Sequence, residues 1–216
     1  MEGVVLGGSG LIGKELIRQL LKDPSFLIVR ALVRSPLDIE HPKFLSQTTN
    51  FSNEEDFREK LGTGTVLFCC IGTTMKNVEG DKVAYKKIDY DIAINAAQYA
   101  SEKKFKHFAI ISSVGANPNS RNFYIRLKGK IEEDLKVIPF NSIHIFRPSL
   151  LLGDRVESRP LEVFGKKIFK AIAFLLPGKY KPVYAKDVAA AMIAAVKKNK
   201  TGIRIYEFKQ MMRLIR

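Results

Sequence analysis

The chain has 216 residues, of which 46% are hydrophobic and 27% charged, with a formal net charge of +14. This composition excludes a disordered or fibrous polymer, and the length suffices for one large domain that buries roughly 70% of its unfolded surface. The charge is lopsided: residues 1–108 hold 15 Lys+Arg against 14 Asp+Glu (+1), and residues 109–216 hold 21 against 8 (+13), a field that suits an anionic substrate, nucleic acid or an anionic membrane alike.

The N-terminus opens directly into "GVVLGGSG", without the basic region, apolar core and cleavage site of a signal peptide. The longest apolar stretches, such as "AIAFLLP", are far short of the ~20 residues that span a bilayer, so a soluble, cytoplasmic protein is expected. "GVVL" predicts a buried strand and "LIGKELIRQLLKD" an amphipathic helix. Between them lies Gly7-x-x-Gly10-x-x-Gly13. Glycines in a strand-to-helix turn let backbone approach a ligand closely, and a helix N-terminus offers unpaired N–H groups to a pyrophosphate. Gly7, Ser9, Gly10, Leu11, Ile12 and Gly13 are therefore candidate dinucleotide contacts.

"FLIVRALVRSP" predicts the second strand. An acidic residue at its end would accept from the ribose hydroxyls of NAD, but here the end carries Arg34, which can grip a 2′-phosphate with Ser9 and Ser35 as further donors. NADP(H) is the expected cofactor. "NFSNEEDF" follows the third strand position, with Asn50 and Phe51 as candidates to flank an adenine. "TVLFCCIGTT" is the fourth strand, with Gly72 and Thr73 able to pass close to the adenosine ribose. Cys69 and Cys70, adjacent in an apolar run, read as reduced core residues, since nothing nearby would generate a thiolate.

"YDIAINAAQYASEKK" is the next helix and "HFAIISS" the fifth strand, ending in Ser112 and Ser113. Two Tyr-x-x-x-Lys pairs follow the helical repeat: Tyr99 with Lys103, and Tyr124 with Lys128. The second pair opens the helix after the serine-bearing strand and so lies at the carboxyl edge of the sheet, where ligands bind. A phenol with an ordinary pKa near 10 needs help to exchange a proton at neutral pH, and the Lys128 ammonium favours the phenolate. Ser113 would hold a substrate carbonyl, Tyr124 protonate it, and Lys128 hold the nicotinamide ribose.

"NSIHIFRPS", "AKDVAAAMIAAVKKN" and "GIRIYEFK" add a strand, a helix and a strand. Continuous apolar runs alternating with amphipathic segments predict an α/β fold, a doubly wound parallel sheet, over a single domain 1–216. Residues 149–182 break the rhythm and form an expected small substrate-side cap. In it, Arg155, Glu157 and Arg159 are candidates for substrate contact or for pairing among themselves. Phe164, Ile168, Ala171, Ile172 and Leu175 form a stripe that fits packing better than a membrane surface. His41, His107 and His144 lack metal-ligand spacing, so no metal site is expected.

Together, the glycine motif, "ISS" and Tyr-x-x-x-Lys resemble the short-chain dehydrogenase/reductase superfamily. "FCCIGTT", "HFAIISSVGA", "NFYIRLKGKIE" and "FRPSLLLGDRVESRP" are similar to the Tat-interacting-protein family of atypical reductases. The resemblance implies a Rossmann fold, NADPH held by Gly7, Gly10, Gly13 and Arg34, and a Ser113–Tyr124–Lys128 triad. It also implies that Pro148, Ser149 and Leu150 approach the nicotinamide carboxamide. The superfamily pattern prefers Ser113 over Ser112.

The expected function is hydride transfer to or from a small carbonyl or alcohol substrate, an anionic one suiting the charge. The alternative is a non-catalytic NADPH-binding regulatory or interaction protein. A nucleic-acid partner is disfavoured because the basic residues lack interleaved aromatics. The oligomeric state is not legible.

Overall fold

The apolar runs become short strands whose two faces are both covered by helices, which is why they lack the in/out alternation of a half-solvated sheet. The computed structural model describes residues 1–153 and 178–216. The strands are β1 (Glu2–Leu6), β2 (Ile28–Val33), β3 (Phe44–Thr48), β4 (Val66–Cys69), β5 (His107–Ile111), β6 (Ser142–Phe146), β7 (Leu151–Leu152), β8 (Val183–Tyr184) and β9 (Gly202–Tyr206). One 7-stranded sheet runs β3-β2-β1-β4-β5-β6-β9, and each neighbouring pair is parallel. β7, within the expected cap, and β8, just beyond it, pair separately in a small parallel ladder. The candidates Arg155, Glu157 and Arg159, and the stripe from Phe164 to Leu175, lie outside the described residues.

The helices are α1 (Leu11–Lys22), α2 (Glu54–Leu61), α3 (Lys82–Lys86), α4 (Ile92–Glu102), α5 (Phe123–Leu135), α6 (Ala185–Lys197) and α7 (Phe208–Leu214). On one face of the sheet, Val5, Ala31, Phe68 and Ala109 meet Leu16, Leu20, Val188 and Met192 of α1 and α6. On the other, Leu6, Leu67, Phe108 and Ile145 meet Phe57, Ala97 and Ile131 of α2, α4 and α5. Successive strand residues therefore serve opposite cores. In α1 the buried Ile12, Leu16, Ile17 and Leu20 recur at helical spacing, so one stripe seats the helix and fixes where its N-terminus points.

Two features fall outside the sequence expectation. The helix expected from Tyr90 begins at Lys82, and a single π turn at Lys87–Asp91 joins α3 to α4. Such a turn inserts a residue and rotates the side chains that follow, and it is frequent at functional sites. The second is a buried polar chain along β5, β6 and β9. His107 Nδ1 lies 2.6 Å from Ser142 Oγ, which lies 2.9 Å from His144 Nε2, and His144 Nδ1 lies 3.0 Å from Tyr206 Oη.

Burial, with help from His107 and Arg204, pushes the His144 imidazole down from 6.5 to about 4. The unfolded chain therefore binds this proton first, and stability present above pH 6.5 drains away as the pH falls toward 4. Urea unfolding should show a loss of about 2 kcal/mol at pH 5 relative to pH 7 from this group. His144→Asn should flatten that slope; an equally steep slope in the variant would show that His144 is not its source.

Candidate cofactor and catalytic site

The site begins at the turn from β1 into α1. Gly10 caps α1 without a side-chain acceptor, and the first turn carries no acidic residue. The contrast with α2 is direct: there Asn53 accepts the Asp56 N–H and three carboxylates fill the first turn. One helix meets an N-terminal donor with its own cap; the other, among the described residues, has no side-chain cap for its donors. The turn is also too tight for side chains, since a Cβ on Gly13 would stand 2.1 Å from the Gly7 carbonyl oxygen. These are the properties that a pyrophosphate cradle requires. Ser9 is exposed over it, while Leu11 and Ile12 begin the helix, Ile12 buried in the core.

Three other segments converge on the turn. Leu37, in the loop after β2, comes within 3.2 Å of a Cβ placed on Gly8, so the loop that starts with the exposed Arg34 and Ser35 lies against the glycines. The Cys70 carbonyl, after β4, stands 2.7 Å from a Cβ on Gly7, which brings Ile71, Gly72 and Thr73 to the same edge. Gly153, just past β7, abuts the Leu11 side chain and closes the third side. Asn50 and Phe51 lie beyond β3, at the sheet's outer edge. There Asn50 donates its N–H to Asp56 at 2.7 Å, and Phe51 sets its ring edge-on to Phe57 at 4.9 Å. Phe51 is thus at least partly a packing residue.

The two serines of β5's end are separated by their environments. Ser112 is buried and donates to the Glu132 carboxylate, which also receives Arg147 Nε at 2.9 Å. Ser113 is half-exposed, and among the described residues its hydroxyl finds a single long 3.4 Å contact, to the Val114 carbonyl. Pro148 accepts the Val114 N–H at 3.0 Å, so the segment 148–150 is tied beside Ser113, and the Leu150 carbonyl then receives Val183 N–H at 3.0 Å.

Tyr124 and Lys128 occupy the first turns of α5, which Asn122 caps through the Ile125 N–H. Tyr124 is 38% exposed, whereas Lys128 is 5% exposed, with its Nζ 5.9 Å from the Tyr124 ring centre. Lys128 is also 2.8 Å from Asp89 of the π turn, a partner that the sequence reading missed. Burial alone would lower the lysine pKa, but Asp89 and Tyr124 outweigh it and raise the value above 10.5. The competing pair is elsewhere: Tyr99 is buried against Phe57 and beneath Arg58, and Lys103 caps the far end of α4. Burial pushes the Tyr99 phenol up, away from a proton-exchange role. Burial likewise pushes the Cys69 thiol up to about 11 and raises Cys70, as expected of core cysteines.

The NAD(P)H-binding family model matches residues 7–137. Protein HTATIP2 of Rattus norvegicus is 31% identical over 193 residues, covering 88% of this chain and 77% of its own length. Protein FMP52, mitochondrial, of Eremothecium gossypii is 32% identical over 226 residues, covering 100% and 98%. Among solved structures, MoeE5 in complex with UDP-glucuronic acid and NAD superposes with a TM-score of 0.76 at 14% identity, covering 96% of this chain and 76% of that one. The Bordetella bronchiseptica enzyme WbmH in complex with NAD+ gives 0.74 at 16%, covering 95% and 75%. At such identities these two show a shared fold. Among the described residues no helix is long and apolar enough to cross a membrane. The chain belongs to the NAD(P)H-binding family, within the atypical short-chain dehydrogenase/reductases that include these two relatives.

Proposed function

We propose that the protein is an NADP(H)-dependent oxidoreductase that interconverts a small carbonyl and its alcohol. The observation that carries this reading is the setting of Tyr124: a partly exposed phenol at the start of α5, backed by a buried ammonium, at the sheet edge that holds the glycine turn. When bound, the nicotinamide supplies or accepts the hydride. Ser113 donates a hydrogen bond to the carbonyl oxygen, and Tyr124 gives that oxygen its proton. The Lys128 cation offsets the charge left on the phenolic oxygen, and in the reverse direction the same groups remove the alcohol proton. The excess charge of residues 109–216 supports an anionic substrate.

The choice of NADP(H) rests on Arg34, exposed with Ser9 and Ser35 around the glycine turn, where an NAD-selective site would carry a carboxylate. A hydrogen bond to a charged group is worth about 1.5–3 kcal/mol, so Arg34→Ala should weaken NADPH binding roughly tenfold or more and leave NADH nearly unchanged. Fluorescence titration reads both; equal losses for the two nucleotides would sink the 2′-phosphate role. For location, the cytoplasmic expectation stands against relatives named mitochondrial, and cell fractionation decides between them.

Turnover in a carbonyl screen provides the second test. Tyr124→Phe should lose activity by at least a hundredfold, because general acid catalysis contributes about 10²–10⁴. Its NADPH affinity should stay close to the parent's. Undiminished turnover would remove Tyr124 as the acid, and NADPH binding without turnover on any carbonyl would point to the regulatory alternative.

A further inference from the structure

Asp89 is the feature of the site that the glycine motif and the triad do not account for. It lies inside the π turn and is 2% exposed, while its flanking charges stay at the surface, Lys87 in solvent and Asp91 paired with Lys86 at 2.7 Å. Asp89 stands four residues after the buried Tyr85, on the same side of the helix, and its carboxylate enters the interior. There Oδ1 accepts the Thr73 backbone N–H at 2.6 Å, and Oδ2 stands 2.8 Å from Lys128 Nζ. Tyr85, one turn earlier, donates to the Thr73 carbonyl at 3.1 Å, so this helix grips both backbone groups of Thr73.

We propose that Asp89 is a positioning residue: its carboxylate keeps Lys128 an ammonium behind Tyr124 and, with its other oxygen, pins the Gly72–Thr73 segment at the cofactor edge. The catalytic consequence rests on the oxidoreductase reading, but the control of Lys128 does not. The groups that face Lys128 are Asp89 from the π turn, Tyr124 on its own helix and Cys69 from β4. Glu132, one turn further along α5, is taken by Arg147 and Ser112. Cys69 is a neutral thiol at working pH, because burial holds its pKa near 11. Asp89 is therefore the one anion facing the ammonium among the described residues, and a buried cation without a partner reverts to the neutral amine.

The test is the titration of Lys128 itself, followed by the Cε signal of the 13C-lysine-labelled full chain and assigned by its loss in Lys128→Met. In the parent protein the signal should titrate above 10.5. In Asp89→Asn, which keeps an acceptor for Thr73 but no charge, it should titrate below that value, whereas Asp89→Glu should restore the high value. An unchanged titration in Asp89→Asn would overturn the proposal, whatever the protein's activity. If Asp89→Asn does not fold, the double variant Asp89→Asn/Lys128→Met should, since no lone buried charge remains; failure of the double variant as well would assign Asp89 a merely structural role. Where a substrate is in hand, kcat of Asp89→Asn should fall tenfold or more and fall further as the pH rises through the lowered lysine pKa. A uniform loss without that pH dependence would contradict the proposal while leaving the oxidoreductase reading in place.

Discussion

The Lys128 ammonium sits in the interior, 5% exposed, and a charge there persists only if an opposite charge meets it. Asp89 meets it at 2.8 Å, from the π turn between α3 and α4. Such a pair is weak evidence for stability, because the desolvation cost of two ions, several kcal/mol each, consumes most of their attraction. Two well-packed apolar side chains would serve the fold as well. What they could not do is hold a cation behind an accessible phenol, so the pair makes more sense as chemistry than as glue.

The carboxyl edge of the sheet divides its labour in the same way. Ser112, Glu132 and Arg147 satisfy one another in a buried cluster that joins the ends of β5 and β6 to α5. That cluster leaves Ser113 and Tyr124 as the partly exposed polar groups beside it. At β1 the opposite device operates: α1 has no side-chain cap and no acidic residue in its first turn, and glycines strip the turn of side chains. A rigid, internally satisfied frame thus presents a few unsatisfied groups, which is what a site needs to bind and orient a ligand without rearranging first.

Most of the sheet was legible because strands covered on both faces leave long apolar runs, and "GVVL", "TVLFCC" and "SIHIF" are of that kind. β3 was less so: an edge strand with largely exposed side chains, "FLSQT", has no such run. The glycine turn and the Tyr124–Lys128 helix were legible because their spacing is local. Asp89 was not, since "KKIDYDIA" reads as the charged start of a helix, and the lysine that meets its carboxylate comes from α5, far along the chain. Glu132 hid for a similar reason: the partner that meets its charge, Arg147, comes from just beyond β6. Long-range ion pairs leave no local period, so they are the part of the site that sequence conceals.

The structure of the complex with NADPH is the most direct measurement of the whole account. The account predicts the pyrophosphate on the N-terminus of α1 and the 2′-phosphate at Arg34, with the nicotinamide lying between the Tyr124 hydroxyl and Pro148 and its ribose within hydrogen-bonding distance of Lys128. A nicotinamide turned away from Tyr124, or a Lys128 that reaches Asp89 alone, would contradict it.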